Sequence, residues 1–399
     1  KSTDDAQRKT LMQGMYETLL AALGAERVIP FSVGFAVLVV VFALFAAIMG
    51  AVVALIMVLA ERKISADIQE RIGPNRVGPM GFFQTVADAV KLLTKENVLP
   101  RKADSILHYC APTLVFTGAL LPVAAIAWSN RIVAADLNIG VLYVVGTASF
   151  GVIGRLMAGW ASNNKWSLLG GMRAAGQMIS YEIPNSIAIL SVIVLAGTLN
   201  LQELSEAQMG GIHQWFVFRS PFAFVACLIY LVSSLAEVNR TPFDLPEAES
   251  ELVSGYHTEY SGIRWAIFMM SEYIGMVVVN AVAVALFFGG WNGGLPGEPL
   301  LGGWIWYLLK IAVLMYCQVW IRFVLPRLRI DQLMSLCWKN LVPLGLLALL
   351  GASVQALMGP TGQRVMMVAA WLVFGGFVTL LFVAVRKTRH VPAQGGFSG

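Results

Sequence analysis

The chain contains nine apolar segments, each long enough to cross a lipid bilayer as a helix. Each has roughly 20 or more residues, enough for the ~30 Å hydrocarbon layer. With 57% apolar and only 13% charged residues in 399, a water-soluble globule is excluded. The predicted fold class is all-α, a polytopic membrane helix bundle. The segments are 31–60, 104–128, 138–161, 177–198, 216–238, 263–289, 303–325, 335–358 and 364–385.

Basic residues collect in alternate loops, and this asymmetry predicts the orientation. By the positive-inside rule, the loops after segments 1, 3, 5 and 7 and the tail Arg386–Arg389 lie in the cytoplasm. The N-terminus is then outside. The net charge of +5 follows from this bias, so we expect no nucleic-acid partner.

Cysteine and histidine are too scattered to predict a metal or redox centre. The four cysteines lack the close spacing of iron–sulfur ligands, and no two histidines have a spacing that suggests zinc or haem ligation from one helix. Any redox cofactor is expected on a partner. The residues are Cys110, Cys227, Cys317, Cys337, His108, His213, His257 and His390.

The first segment is longer than a membrane requires. As a continuous helix, residues 31–60 extend about 45 Å at 1.5 Å per residue. We therefore expect this helix to tilt, bend or project from the bilayer.

Residues 81–97 predict a cytoplasmic amphipathic helix. Its apolar face carries Phe82, Phe83, Val86, Val90 and Leu93, and its polar face carries Gln84, Asp88, Lys91 and Lys95. Two interpretations stay open: a helix in the membrane interface, or a polar stripe that faces a partner subunit or a ligand chamber. Asp88 and Lys91 have the spacing of an i,i+3 ion pair.

Three carboxylates fall within predicted membrane segments. Glu182 lies about five residues inside the fourth segment, Glu237 near the inner end of the fifth, and Glu272 about nine residues into the sixth. Desolvation disfavours the charged form, so such groups can exchange protons when water reaches them. The alternative is a neutral, hydrogen-bonded structural role for each. Pro184 is expected to kink the fourth helix.

A charged loop follows the fifth segment. Helix capping explains one or two of its acidic residues, but not the whole set. Arg240 and Asp244 have a spacing that predicts a buried ion pair. The charged residues are Arg240, Asp244, Glu247, Glu249, Glu251 and Glu259.

Several short motifs resemble, in the same order, the H-subunit (NADH dehydrogenase subunit 1) family of respiratory complex I, the proton-translocating NADH:quinone oxidoreductase. The resemblance covers roughly residues 31–358. The motifs are Glu61–Lys63, Arg71–Pro79, Ala87–Ala89, Ala134–Gly140, Gly159–Lys165, Ser180–Glu182, Asn239–Asp244 and Glu259–Gly262.

The resemblance implies a membrane subunit that forms most of a ubiquinone or menaquinone tunnel and relays the energy of quinone reduction to proton translocation. Arg62, Arg71, Asp88 and Lys91 resemble residues that line the tunnel. The buried glutamates resemble carboxylates that lead from the quinone into the membrane, and the charged loop resembles a coupling element. The implied catalytic set is Glu182, Glu237, Glu272, Arg240, Asp244, Glu247, Glu249, Glu251 and Glu259.

The implied partners are the other complex I subunits: the peripheral pair that flanks the terminal iron–sulfur cluster, and neighbouring small membrane subunits. FMN and iron–sulfur clusters belong to those partners, with quinone as the substrate and lipids around the chain. The expected location is an energy-transducing membrane, the bacterial inner membrane or an organellar one. The predicted domains are an N-terminal extension (1–30), the quinone-chamber domain (31–358) and a last helix with a basic tail (359–399).

Other functions remain possible from the sequence. Related membrane subunits serve hydrogenases and ferredoxin- or coenzyme F420-linked dehydrogenases. A stand-alone secondary transporter also uses buried carboxylates and broken helices, but we find no internal repeat of the kind such proteins often show.

Overall fold

The computed structural model of the protein describes residues 31–130, 132–246, 249–293, 303–358 and 371. Within these ranges the regular elements are helices, apart from one isolated bridge between Ala127 and Val133. The α-helices are α1 (Phe31–Ile68), α2 (Gln84–Thr94), α3 (Ser105–Leu120), α4 (Gly140–Ala161), α5 (Lys165–Ala196), α6 (Leu201–Glu206), α7 (Phe216–Arg219), α8 (Pro221–Glu237), α9 (Glu249–Leu252), α10 (Gly262–Phe287), α11 (Gly303–Val324), α12 (Ile330–Ser335) and α13 (Val342–Leu357).

Short helical turns extend or join these helices. The 3-10 turn Leu121–Ala125 continues α3, and the π-helical turn Leu336–Leu341 joins α12 to α13. The remaining 3-10 turns are Pro79–Gly81, Ile212–Gln214 and Gly255–His257.

Seven helices in the described part of the chain are long and apolar enough to cross a membrane. They are Ala43–Ile68, Ser105–Ala125, Gly140–Ala161, Lys165–Ala196, Gly262–Phe287, Gly303–Val324 and Ile330–Leu357. An eighth apolar helix, Pro221–Glu237, is shorter. The all-α membrane fold is therefore confirmed, and the predicted ninth segment, 364–385, lies outside the described residues except for Trp371.

The chain divides into two compact units, residues 1–56 and 57–399. In the first unit, residues 31–56 form the first part of α1. The predicted domains 1–30 and 359–399 lie outside the described residues apart from Trp371, so the predicted domain division stays a prediction.

The predicted start of the fourth membrane helix is wrong. Helix α5 begins at Lys165, whereas the apolar run predicted a start at 177. Many of the intervening residues are polar or glycine, and hydropathy alone discards them. They form helix with the Asn164 side chain as a cap, which accepts a hydrogen bond from Trp166 N at 3.1 Å. The helix also runs without interruption through Pro184.

Small residues let helices approach closely around α4 and α5. A Cβ atom on Gly170 would lie 2.6 Å from Tyr256 N, and one on Gly159 would lie 2.7 Å from Ser167 O. A Cβ on Gly154 would lie 2.4 Å from Val115 Cγ2. Such contacts are typical of membrane helix packing, where van der Waals contact replaces the hydrophobic effect between helices.

Buried tyrosine hydroxyls fix several helices to one another. Tyr181 donates to Leu333 O at 2.9 Å, Tyr230 to Val279 O at 2.9 Å and Tyr307 to Ala281 O at 2.7 Å. Each bond satisfies a hydroxyl that would be costly to bury alone. These bonds hold α5 against α12, and both α8 and α11 against α10, by polar as well as apolar contacts.

Lys310 of α11 closes the C-terminal end of α10. Its Nζ donates to the carbonyl oxygens of Phe288, Gly290 and Asn292 at 2.7, 2.9 and 2.6 Å. It also lies 4.3 Å from the centre of the Trp215 ring. A cation at a helix C-terminus is favoured by the helix dipole, and the carbonyl groups there lack partners within the helix.

We expect Lys310→Met to lower the melting temperature of the purified protein assembly by several degrees. Methionine keeps most of the side-chain length but leaves three carbonyl groups without their donor, a loss of about 2–3 kcal/mol. Lys339→Met is the matched control, since Lys339 is exposed. Equal melting temperatures for the two variants would contradict this role of Lys310.

Candidate functional site

The polar stripe of the amphipathic helix meets the end of α1. Asp88 Oδ2 lies 2.5 Å from Arg62 Nη1, and Asp88 Oδ1 lies 3.6 Å from Lys91 Nζ. Burial acts to raise the pKa of Asp88, but the hydrogen bond and charge of Arg62, with the charge of Lys91, hold it below its usual value. The predicted i,i+3 pair is present, and Arg62 is its second cation.

Arg71 does not join this group. It is exposed, and its Nε donates to Gln69 Oε1 at 2.6 Å. The structure therefore brings together three of the four residues predicted to line a quinone tunnel and leaves Arg71 on a separate turn.

The apolar face of α2 and the preceding turn is exposed in the described part of the chain. Phe82, Phe83, Val86, Val90 and Leu93 have exposed fractions of 60%, 51%, 46%, 55% and 65%. Five apolar side chains on one face form a patch of the kind that binds lipid, a partner or an apolar ligand. The opposite face carries the Arg62–Asp88 pair.

A buried ion cluster lies at the same end of α1. Glu61 contacts two arginines: Arg240 Nη1 lies 3.6 Å from its Oε2, and Arg322 Nη1 contacts its Oε1. The guanidinium of Arg240 also lies 4.4 Å from the centre of the Tyr273 ring. Burial acts to lower the pKa of Arg240, but the charge of Glu61 outweighs it and the net pKa is raised. Arg240 is therefore a permanent buried cation.

The predicted Arg240–Asp244 ion pair is wrong. Asp244 Oδ2 instead lies 3.1 Å from Arg327 Nη2. The spacing of four residues predicts contact on a helix, but α8 ends at Glu237 and Asn239 has a φ of 53°, so the two side chains meet different partners. Burial raises the pKa of Asp244 to about 6, with Arg327 opposing and Glu272 adding to the rise.

Two of the three predicted buried carboxylates line one cavity of about 60 Å³. Glu237 Oε2 accepts a hydrogen bond from Asn185 Nδ2 at 2.9 Å, and Glu272 Oε1 accepts one from the Tyr256 hydroxyl at 3.0 Å. The volume is enough for a few water molecules. Small residues from α3, α4 and α10 make the room: Gly118, Ala148, Gly151 and Gly275.

Glu182 does not line this cavity. It lies on α5 seventeen residues after Lys165, so the predicted depth of about five residues is wrong, because the helix begins earlier than hydropathy indicates. Its charge still interacts with that of Glu237. Glu182 is thus connected to the cavity by its electrostatic field and not by contact.

The charged loop is described in part. Glu251 Oε2 lies 2.6 Å from Arg173 Nη1, and Glu259 Oε1 accepts from Asn164 Nδ2 at 2.7 Å. Both contacts tie the loop to the beginning of α5. Glu247 lies outside the described residues, and Glu249 is described only as the first residue of α9.

Sequence reasoning missed four charged groups of the site: Glu61, Arg155, Arg322 and Arg327. In the sequence, Glu61 stands out only as part of a motif. Arg155, in the apolar helix α4, lines the cavity with Glu237 and Glu272. An ionisable residue inside an apolar segment predicts a functional position. This rule would have identified Arg155 if it had been applied to arginine as well as to carboxylates.

The described residues contain no group of three or more His, Cys, Asp or Glu arranged to hold a metal ion. The four cysteines are unpaired, and the Cys337 thiol donates to Ser180 O at 3.0 Å.

The fold and these charges define an integral membrane protein in which a buried ion cluster adjoins a carboxylate cavity. A sequence profile described as NADH dehydrogenase matches residues 38–353. Among curated proteins, the NADH-quinone oxidoreductase H-subunit of Chlorobaculum parvum is 47% identical over 304 residues, 73% of this chain and 84% of that protein. The chain belongs to the NADH dehydrogenase family, as a relative of its H-subunits.

The H-subunits of other bacteria are similarly close. That of Bacillus mycoides is 48% identical over 295 residues, 72% of this chain and 85% of that protein. That of Anaeromyxobacter dehalogenans is 46% identical over 322 residues, 76% of this chain and 78% of that protein. The resemblance inferred from the motifs is therefore confirmed.

Proposed function

We propose that the chain is the quinone-binding, proton-coupling membrane subunit of a bacterial NADH:quinone oxidoreductase. It carries no electrons in this proposal. It surrounds the quinone beside a partner that holds the terminal iron–sulfur cluster, and it converts quinone reduction into proton movement.

One observation carries the proposal: Arg240 connects the ion cluster to the cavity. It forms an ion pair with Glu61, and its charge also interacts with that of Glu272, which lines the cavity. Reduction of a quinone to a quinol takes up two electrons and two protons, so the head group is negative after the electrons arrive and before the protons do, and any side chain that supplies a proton becomes more negative. Arg240 transmits such a change into the membrane without a change in its own protonation.

The amphipathic helix supports quinone binding next to this cluster. Its exposed apolar face suits an isoprenoid chain, and the Arg62–Asp88 pair at the end of α1 offers polar groups to a quinone head. The charged loop, tied to α5 through Glu251 and Glu259, is the proposed coupling element.

The testing experiment is photolabelling of the native complex with a quinone that carries a photoreactive group. We expect labels on α2 and on the end of α1, and their loss when an excess of unlabelled quinone is present. Labels confined to other parts of the chain would contradict the proposed chamber. A co-purifying flavin subunit that oxidises NADH would support an NADH-linked complex. A co-purifying hydrogenase or ferredoxin-linked dehydrogenase would instead assign the chain to a complex of that kind.

We expect Asp88→Asn to raise the KM for quinone about tenfold, with a smaller change in kcat. Loss of the carboxylate frees Arg62 and Lys91 and disorders the polar edge of α2. Because the pKa of Asp88 is lowered, the ion pair is complete above about pH 4 and is lost only as pH falls through that lowered value.

The measurement is the dependence of NADH oxidation rate on quinone concentration at neutral pH. Asp67→Asn is the matched control, because Asp67 is an exposed carboxylate near the same end of α1. An unchanged KM in Asp88→Asn would remove Asp88 from the quinone site.

A further inference from the structure

A second cavity, of about 250 Å³, opens between α5 and α12. Its walls carry six large apolar side chains, and Arg173 is the one charged residue among the described residues that line it. Arg173 Nη1 already lies 2.6 Å from Glu251 Oε2, so its charge is balanced. The cavity therefore fits an uncharged, apolar group. The six apolar residues are Leu169, Met172, Leu245, Ile330, Leu333 and Met334.

The predicted orientation places this cavity on the cytoplasmic side, beyond the hydrocarbon layer. Helix α5 has 32 residues, or about 48 Å at 1.5 Å per residue, whereas the hydrocarbon layer is ~30 Å thick. The apolar segment of this helix begins at residue 177, and the cavity residues of α5 lie between 169 and 177. Leu245 and α12 follow the fifth and seventh apolar segments, whose loops are cytoplasmic. Lipid tails therefore do not fill the cavity.

The apolar side chains at the mouth of the cavity are exposed. Leu169, Met172 and Ile330 have exposed fractions of 48%, 60% and 40%. The side chains of the neighbouring Arg173–Glu251 pair are also partly exposed, at 29% and 51%, which places water at this level of the structure. An apolar cavity that opens to water has the character of a binding hot spot, where a partner buries one large side chain.

The size and chemistry of the cavity select its occupant. Its volume is below the roughly 300–1,000 Å³ of small-molecule sites, so it fits a single large side chain better than a cofactor. Met172 and Met334 both line it, and methionine side chains adapt in shape and attract aromatic rings. The chain belongs to a family of enzyme subunits, so it has protein partners that can supply such a ring.

We propose that the cavity between α5 and α12 is a docking site for an aromatic side chain of a water-soluble partner subunit. The ring packs on the two methionines and covers the exposed Leu169 and Ile330. The site thus helps to hold the water-soluble part of the enzyme on its membrane part. It is independent of quinone binding, because none of its residues belongs to α1 or α2. Failure of the quinone photolabel on α2 would leave it unaffected.

Gly176 allows the cavity to be filled from within the chain. It lines the cavity, and a Cβ atom there would meet nothing within 4 Å. Gly176→Leu therefore places a side chain in the space that the partner needs without displacing the walls. Gly146→Leu is the matched control, because Gly146 is a glycine of α4 that is equally open and exposed but lies outside this cavity.

The experiment compares complexes purified from membranes in mild detergent. The readouts are the water-soluble subunits and the NADH-oxidising activity recovered per copy of this chain. We expect Gly176→Leu to lower both by about fivefold or more, the effect of losing a hot-spot contact, with the chain still inserted at its native level. Gly146→Leu should leave both unchanged. Native recovery in Gly176→Leu would overturn the proposal, and so would an equal loss in Gly146→Leu.

A photo-crosslinking measurement decides the question if Gly176→Leu does not insert. The photoreactive residue p-benzoylphenylalanine replaces Met172 in the native complex. The control position is Leu190, which is also exposed on α5 but lies 18 residues further along the helix.

We expect the probe at position 172 to crosslink to a water-soluble subunit, at a peptide with an aromatic residue whose replacement by alanine removes the crosslink. The probe at position 190 should give no such product. Crosslinks from position 172 to lipid, quinone, a membrane subunit or a second copy of this chain would overturn the docking site, as would the absence of any crosslink.

Discussion

Replacement of Glu237 by glutamine should abolish proton translocation while leaving the complex assembled. Glu237 Oε2 accepts a hydrogen bond from Asn185 Nδ2 at 2.9 Å, and the side-chain oxygen of glutamine can accept the same bond at nearly the same volume. Glutamine cannot release or bind a proton as a carboxyl group does. The structural contact is thus retained and the proton exchange is removed.

The measurement is acidification of liposomes that contain the purified variant complex, followed with a pH-sensitive dye during NADH oxidation. We expect the signal to fall to that of liposomes treated with a protonophore. Glu203→Gln is the control, since Glu203 accepts a hydrogen bond from Thr198 Oγ1 at 2.5 Å in an exposed position outside the cavity. Normal acidification by the Glu237 variant would refute the coupling role of this carboxylate.

Arg240→Gln should have the largest effect on stability as well as on quinone reduction. The side chains of Arg240 and Glu61 are only 8% and 11% exposed. Removal of one partner of a buried ion pair typically costs about 3–5 kcal/mol, because the other charge stays desolvated. Arg322 also contacts Glu61 and compensates in part. We expect a clear fall in melting temperature together with loss of quinone reductase activity.

A double variant separates charge from shape at this position. In Arg240→Gln/Glu61→Gln both charges are absent, so stability should recover partly, while activity should not. Arg173→Gln is the matched control: it also breaks an Arg–Glu pair, but one whose side chains are 29% and 51% exposed, which is worth at most about 1 kcal/mol. Equal losses of stability in the Arg240 and Arg173 variants would contradict a buried role for Arg240.

Hydropathy predicted the helices well because a membrane span must be both long and apolar. It failed where a helix carries polar or small residues beyond its apolar part. Helix α1 extends to Ile68, past Glu61, Arg62 and Lys63, and α5 begins twelve residues before the predicted 177. The ends of these helices depend on capping side chains and on close packing at glycines, and hydropathy measures neither.

The partners of charged residues were the least predictable part of the site. The pair of Asp88 with Lys91 follows from helical spacing, but the contact of Asp88 with Arg62 joins residues 26 positions apart. Arg240 and Asp244 are close in sequence and yet bind Glu61 and Arg327. Such pairs depend on how helices pack, which local patterns do not contain.

Gly159 of α4 and Gly170 of α5 limit how far α5 can move against its neighbours. Gly159 and Gly170 bring backbone to backbone against Ser167, Gly255 and Tyr256 with no side chain between them. Sliding α5 along its axis would force main-chain atoms into overlap, because tightly packed interfaces resist small continuous shifts. We therefore expect α5 to keep its position during turnover. In the proposed function, the effect of quinone reduction would then be transmitted by changes in the charge of side chains that stay in place, and not by movement of this helix.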